Sequence, residues 1–162
     1  GAPLLPLAPG TRVAVVGEFA RTPRHQGAGS SRINPTRVEN AFDELRALHD
    51  SVTFAEPAEA ARVAAASDVA VLFLGLPPEA ESEGFDRTTI DLPAEQLELL
   101  DAVLAAQPRT VVVLSNGGVV ALPFADRVPA IVEGWLLGQA GGGALADVLT
   151  GRVNPSGRLA AY

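Results

Sequence analysis

The sequence predicts an α/β fold in which helices cover both faces of a mostly parallel open sheet of five or six strands, forming a three-layer α/β/α sandwich. Two observations carry this prediction. Short valine-rich runs are continuously apolar and do not alternate with polar residues, which is typical of strands buried on both faces. Helix-length segments with a 3.6-residue period lie between these runs, and alternating strands and helices favour a parallel sheet with right-handed crossovers.

Five strands are predicted, each from a short apolar run. Four of these runs are strong and a fifth is weaker, and all have the length of strands in globular proteins. The strong runs are residues 13–16, 69–74, 110–114 and 130–132, and the weaker one is residues 52–54. With helices between them, these strands predict a flavodoxin-like arrangement.

Four helices are predicted between and after the strands. Pro35 begins the first, with Asn34 as its N-cap, because proline suits the first helical position and asparagine suits the cap. Pro93 begins the longest, with Asp91 just upstream as a possible cap. Gly151 ends the last helix, since glycine is the common residue after a helix. This last helix is predicted at residues 144–149, and the remaining helix at residues 58–66.

Two long loops follow strands, at residues 17–34 and 75–92, and open α/β sheets bind ligands beyond the carboxyl ends of their strands. The first loop contains Gly29 and Ser30 within Gly-Ala-Gly-Ser-Ser. Such a segment lets the backbone approach a ligand closely and offers hydroxyl groups for hydrogen bonds, although an ordinary glycine turn explains the same residues. A dinucleotide site is not predicted, because no Gly-x-Gly-x-x-Gly opens directly into a helix.

The second loop concentrates acidic side chains. Glu79, Glu81, Glu83 and Asp86 lie within eight residues, and crowded carboxylates can raise one pKa so that the group serves as a general acid. A solvated acidic loop is the simpler interpretation. Serine-nucleophile chemistry is not indicated, since Gly-x-Ser-x-Gly is absent from the sequence.

Composition excludes several function classes. The 162 residues fit one domain, residues 1–162, and carry a formal net charge of −7 with no lysine and no cysteine. The acidic balance argues against a nucleic-acid partner, and two histidines without cysteine argue against a metal site. Without lysine, neither Schiff-base chemistry nor a phosphate-binding loop is available. No apolar run reaches the roughly 18 residues of a membrane span, and the lack of cysteine slightly favours the cytoplasm over secretion.

Several unusual motifs, in order along nearly the whole chain, resemble the C-terminal domain of glycoside hydrolase family 3. Each lies where a strand ends or a helix begins. They are Val13-Ala14-Val15-Val16-Gly17-Glu18-Phe19, Gln26-Gly27-Ala28-Gly29-Ser30-Ser31 with Asn34-Pro35-Thr36, Glu81-Ser82-Glu83-Gly84-Phe85-Asp86-Arg87, Asp91-Leu92-Pro93-x-x-Gln96, Val112-Val113-Leu114-Ser115-Asn116-Gly117, Gly138-Gln139-Ala140-Gly141-Gly142-Gly143-Ala144 and Asn154-Pro155-Ser156-Gly157-Arg158-Leu159.

The resemblance implies β-glucosidase-like hydrolysis of O-glycosidic bonds with retention of configuration and without a cofactor. It implies an active site shared with an N-terminal (β/α)8 barrel, which supplies the nucleophile and most contacts to the terminal sugar. Position for position, Glu83 corresponds to the family's acid/base glutamate, with Glu81 as the runner-up. Ser30, beside Gly29, corresponds to a position that contacts the sugar, and Phe85 is a candidate for stacking on it.

The barrel does not precede Gly1, and the sequence contains no methionine. We therefore expect an excised domain that does not hydrolyse glycosides alone and that forms weak homodimers through the exposed barrel-facing surface. The alternative is a non-catalytic carbohydrate-binding or interaction module of flavodoxin-like fold. Trp135 follows the last predicted strand, residues 130–132. It is expected to pack in the core or against a neighbouring domain, with stacking on a sugar as the other interpretation.

Overall fold

The computed structural model describes residues 3–159, and a five-stranded sheet forms its centre. The strands lie in the order β2-β1-β3-β4-β5, and every neighbouring pair is parallel. Their bounds are β1 Val13–Val16, β2 Val52–Ala55, β3 Val69–Gly75, β4 Thr110–Ser115 and β5 Ala130–Glu133. The predicted parallel α/β fold is confirmed, and each predicted strand differs from the observed one by a residue or less.

Four helices cover the two faces of this sheet. They are α1 Ala41–Leu48, α2 Ala60–Ala65, α3 Ala94–Ala106 and α4 Gly141–Thr150. Helices α1 and α4 pack side by side over one face, and α2 and α3 pack together over the other. Short 3₁₀ turns lie between the elements at Glu18–Ala20, Pro57–Glu59, Pro78–Glu81 and Ala125–Arg127.

The core consists of two apolar layers, one on each face of the sheet. Along β3, Val71 and Phe73 point into the layer beneath α1 and α4, whereas Leu72 and Leu74 point into the layer beneath α2 and α3. Every residue of β1, β3 and β4 is buried. Successive side chains of a strand point to opposite faces, so a strand covered on both sides must be apolar throughout.

The first helix begins later than predicted. It starts at Ala41, and its N-cap is Asn40, whose side chain accepts a hydrogen bond from the Asp43 amide at 2.8 Å. The prediction of a start at Pro35 with Asn34 as the cap is therefore wrong. Residues 35–40 are irregular because they lie against the loop before α4, where the Glu39 amide donates to the Gln139 carbonyl at 2.9 Å.

The termini of the other helices also differ in detail. Helix α3 begins at Ala94, and Asp91 does not cap it but accepts a hydrogen bond from the Thr89 hydroxyl at 2.5 Å. Helix α4 begins at Gly141, three residues before the predicted start, and ends at Gly151 as predicted, with φ at 76°. Gly142 lies so close to α1 that a Cβ there would be 2.6 Å from the backbone of Asn40, so this first turn needs glycine.

Candidate active site

The two long loops meet at the carboxyl edge of the sheet. They leave β1 and β3, which are parallel neighbours, so both loops emerge at the same edge. An isolated parallel bridge between Ala28 and Ser82 joins them. The glycine-serine segment and the acidic segment, separated by about fifty residues in the sequence, therefore lie side by side.

Glu83, Ser30 and Gly29 are in direct contact where the loops meet. The amide and the hydroxyl of Ser30 donate to one carboxylate oxygen of Glu83 at 2.7 and 2.5 Å. Gly29 has a φ of 93°, and a Cβ there would lie 2.5 Å from the Cβ of Glu83, so only glycine lets the loops approach this closely. Glu83 is exposed, and Phe85 nearby in the sequence is 72% exposed.

Hydrogen bonding favours the ionised form of Glu83. The Ser30 hydroxyl and then the Ser30 amide hold the pKa of this carboxyl below its ordinary value, because both stabilise the ionised form. The pKa of Glu81 is lowered as well. The expectation that crowding raises a pKa in this loop is therefore wrong for both groups, since each carboxylate has its own donors.

Glu81 has a different environment, since its side chain is only 9% exposed. It forms an ion pair with Arg24 and accepts hydrogen bonds from the amides of Gly117 and Gly118 at 2.8 and 2.5 Å. Burial raises the pKa of Glu81, but these amides and the Arg24 guanidinium outweigh burial and hold it below the ordinary value. Glu81 is bound within the protein, whereas the carboxylate of Glu83 is open to solvent.

Arg87 ties the acidic loop to the loop that follows β4. It donates to the Val119 carbonyl at 2.8 Å, and no ion pair joins it to Asp86 in the part of the chain that the structure describes. Arg87 thus braces the acidic loop through the backbone of a neighbouring loop.

Three polar residues at this edge were not singled out from the sequence. Arg24 is 6% exposed and Asn116 is 1% exposed, and burial of a polar side chain in a loop leaves no mark in the sequence. Glu133 ends β5, and burial raises its pKa even though it accepts a hydrogen bond from the Trp135 amide at 2.9 Å. An acidic residue at the end of an otherwise apolar strand was the signal available for Glu133.

Trp135 stands at the border between the core and solvent. Its φ of 51° is in the left-handed region, and it is 45% exposed. It helps to line a small cavity with Phe19, His25 and Leu137. Trp135 therefore packs partly against its own domain and leaves part of its ring free to meet something else.

The described residues also bear on metal binding and membrane crossing. Among residues 3–159, no group of three or more His, Cys, Asp and Glu side chains is arranged to hold a metal ion. Within the same range, no helix has the length and apolar character that crossing a membrane requires.

Fold and site together define an α/β sandwich domain that presents an open carboxylate beside a glycine-serine loop at the carboxyl edge of its sheet. Comparison with known proteins gives this domain a family. The model of the glycosyl hydrolase family 3 C-terminal domain matches residues 2–162, and the chain belongs to that family.

Relatives with curated names and a solved structure agree with this assignment. The chain is 52% identical to an exo-α-(1→6)-L-arabinopyranosidase of Bifidobacterium breve over 92% of its length, and 45% identical to thermostable β-glucosidase B of Acetivibrio thermocellus over 97%. The crystal structure of a family 3 β-glucosidase from Bifidobacterium adolescentis superimposes with a TM-score of 0.87 at 51% identity, covering 93% of the chain. The chain spans 22%, 23% and 24% of these proteins, respectively.

Proposed function

We propose that this domain supplies the acid/base glutamate, Glu83, of a retaining β-glycosidase whose active site is completed by an N-terminal (β/α)8 barrel. The full-length protein would hydrolyse O-glycosidic bonds, and residues 1–162 would form one domain of it. Membership of the family and relatives named as glycosidases support the reaction class. The much greater length of those relatives supports a further domain.

The observation that carries the proposal is the contrast between Glu83 and Glu81. A general acid must reach the substrate, and the carboxylate of Glu83 lies open at the carboxyl edge of the sheet. The carboxylate of Glu81 is enclosed by Arg24 and two backbone amides, so it has no path to a glycosidic oxygen. The geometry thus favours Glu83 over the runner-up.

Retaining hydrolysis gives Glu83 two tasks. It first donates a proton to the glycosidic oxygen while a nucleophilic carboxylate attacks the sugar, and it then takes a proton from the water that releases the glycosyl group. The two carboxyl groups must lie about 5 to 5.5 Å apart. Glu83 would be one member of this pair, and the nucleophile would come from the barrel. The chain alone is therefore expected to be inactive.

Ser30 and Phe85 are the proposed substrate contacts of this domain. The Ser30 hydroxyl already faces the carboxylate at 2.5 Å, so a sugar hydroxyl bound there would meet both groups. Gly29 provides the space for this approach, and the exposed ring of Phe85 offers an apolar face for stacking on a sugar.

Exposed apolar side chains on the strand-exit loops support a covered surface around the proposed site. These side chains belong to Phe85, Ile90, Val119, Trp135 and Leu137. Such side chains are costly to leave in water when they are grouped, and we propose the barrel as their partner. The weak homodimer through this surface stays a prediction, which sedimentation of the chain alone would test.

The experiment compares Glu83→Gln with Glu79→Gln in the full-length protein. Glu79 is an exposed carboxylate of the same loop, so it controls for a change of charge. Acid catalysis contributes about 10²–10⁴-fold, and we expect Glu83→Gln to lose about that much kcat/KM on an alkyl β-glucoside. On a dinitrophenyl β-glucoside, whose leaving group needs no proton, kcat/KM should change little.

Azide provides a second readout, in a variant that removes the whole carboxyl group. It replaces the water that Glu83 would deprotonate, so it should restore kcat on the dinitrophenyl substrate in the variant Glu83→Ala and yield a β-glycosyl azide. Wild-type turnover of the alkyl glycoside by Glu83→Gln would overturn the proposal and favour the non-catalytic carbohydrate-binding module.

A further inference from the structure

A buried ion pair lies directly beneath the proposed site. The side chains of Arg24 and Glu81 are 3% and 9% exposed, and buried charges are rare because they lose their hydration. Here both are compensated. Glu81 receives Arg24 and two backbone amides, and Arg24 also donates to the Leu76 carbonyl at 2.7 Å.

These contacts tie together the loops that follow three adjacent strands. Arg24 lies in the loop after β1, Glu81 in the loop after β3, and Gly117 and Gly118 in the loop after β4. Other described contacts between these loops, such as the Ala28–Ser82 bridge and the hydrogen bond from Arg87 to Val119, each join two of them. The Arg24–Glu81 pair contacts all three. One carboxylate and one guanidinium therefore fix the relative positions of all three.

The backbone around Glu81 is shaped to admit its carboxylate. A Cβ at Gly117 would lie 3.4 Å from one carboxylate oxygen of Glu81, and a Cβ at Gly118 would lie 3.0 Å from the other. The 3.4 Å distance at Gly117 is ordinary van der Waals contact, whereas the tighter 3.0 Å at Gly118 favours glycine where that amide approaches the carboxylate. A negatively charged group held by two amides and a guanidinium has little freedom to turn.

Glu83 lies two residues after Glu81, whose contacts with Arg24, Gly117 and Gly118 form an anchor for the acidic loop. The residue between them, Ser82, forms the bridge to Ala28, and the neighbouring Ser30 holds the Glu83 carboxylate. The anchor, the bridge and the Ser30 contact thus follow one another along the segment that carries Glu83. Displacing Glu81 would release the first of these three fixed points.

We propose that Arg24 and Glu81 are positioning residues, which hold the acidic loop so that Glu83 meets the glycosidic oxygen. This inference rests on the proposed role of Glu83. It assigns no chemical step to the ion pair itself. A displacement of about 1 Å in a positioned group can cost about 10²-fold in rate, so the pair should matter for proton donation as well as for folding.

The test uses the full-length protein and two β-glucosides, one with an alkyl and one with a dinitrophenyl leaving group. Glu81→Gln and Arg24→Met each remove the charge pairing, and Arg24→Lys keeps the charge. Arg12→Met is the matched control, because it breaks an exposed ion pair with Asp68 at the opposite edge of the sheet.

We expect Glu81→Gln and Arg24→Met to lower kcat/KM about tenfold or more on the alkyl glycoside, out of the roughly 10²–10⁴-fold that acid catalysis contributes. On the dinitrophenyl glycoside the loss should be less than about threefold, because that leaving group needs no proton. Arg24→Lys should recover part of the loss, and Arg12→Met should match the wild type on both substrates. A purely structural role would lower the fraction of active enzyme and so reduce kcat/KM equally on both substrates. That result would overturn the inference.

Glu83→Gln, measured beside these variants, separates the two claims. If Glu83→Gln shows no dependence on the leaving group, the proposed function fails. If Glu83→Gln shows that dependence and the Arg24 and Glu81 variants do not, the proposed function stands and the inference fails.

A double variant covers the case in which the single variants do not fold. Arg24→Met with Glu81→Leu replaces both buried charges by apolar groups of similar size, which proteins often tolerate. This variant also lacks the carboxylate that binds Gly117 and Gly118. We expect the same selective loss on the alkyl glycoside, and full activity on that substrate would overturn the inference.

Discussion

Replacing Arg24 by methionine should destabilise the chain strongly, because it leaves the carboxylate of Glu81 buried without its counter-charge. Methionine keeps much of the length of arginine and removes the guanidinium. The side chain of Arg24 is 3% exposed and that of Glu81 is 9% exposed, so water can do little to replace the lost partner. Removing one member of a buried pair costs about 3–5 kcal/mol.

Two contacts of the pair bear on the size of this loss of stability, in opposite directions. Glu81 keeps the amides of Gly117 and Gly118, which limits the loss. The carbonyl of Leu76 also loses its donor in this variant, which adds to it. The double variant Arg24→Met with Glu81→Leu should recover most of the stability, because no isolated charge remains.

The assay is urea unfolding of the chain at neutral pH. The slope of the unfolding free energy against urea concentration should stay unchanged, which checks that the variant does not alter the compactness of the unfolded state. For a chain of this size, about 3–5 kcal/mol corresponds to a fall in Tm of about 6–20 °C. Arg12→Met serves as the control, since Arg12 and its partner Asp68 are 63% and 45% exposed. A loss of stability in Arg24→Met no larger than in Arg12→Met would refute the reasoning.

Two further predictions concern stability. Gly75→Ala places a Cβ 2.0 Å from the carbonyl oxygen of Ser115 in the neighbouring strand. This variant should therefore lose at least about 1–3 kcal/mol of unfolding free energy, measured with urea. In the control Gly157→Ala the Cβ meets nothing within 4 Å, so stability should change by less than about 0.5 kcal/mol. Burial raises the pKa of Glu133, so the wild type loses stability as pH rises through that pKa. Glu133→Gln should therefore be more stable than the wild type at pH 7 and show no such gain at pH 3, and equal stabilities at pH 7 would contradict this.

The sheet could be predicted from the sequence because its strands are buried on both faces. Burial on both faces requires continuous apolar runs, and such runs are visible without any knowledge of tertiary contacts. The start of α1 could not be predicted in the same way. Residues 35–40 have helical signals, but their backbone contacts the loop before α4, which is a hundred residues away in the sequence.

The candidate site could be predicted from the sequence only as far as the order of the strands could. Since β1 and β3 are parallel neighbours, their loops had to emerge together, which brings Ser30 close to Glu83. The partner of Glu81 was not predictable, because Arg24 and Glu81 are 57 residues apart and both are charged types that usually lie in solvent. The direction of the pKa shifts was missed for the same reason, since sequence spacing shows neighbouring carboxylates but not the donors that each one finds.

The lowered pKa of Glu83 implies separate roles for this domain and for the barrel in the proposed site. A general acid at neutral pH needs a raised pKa, and this domain lowers it through Ser30. The rise would then have to come from the barrel, whose nucleophilic carboxylate, about 5 Å away, disfavours a second negative charge and whose closure removes water. In the proposed enzyme, the sandwich domain would determine the position of the acid and the barrel would determine its pKa. Once the nucleophile was bonded to the sugar, its charge would be gone and the pKa of Glu83 would fall again. The same group would then be ready to accept a proton from water.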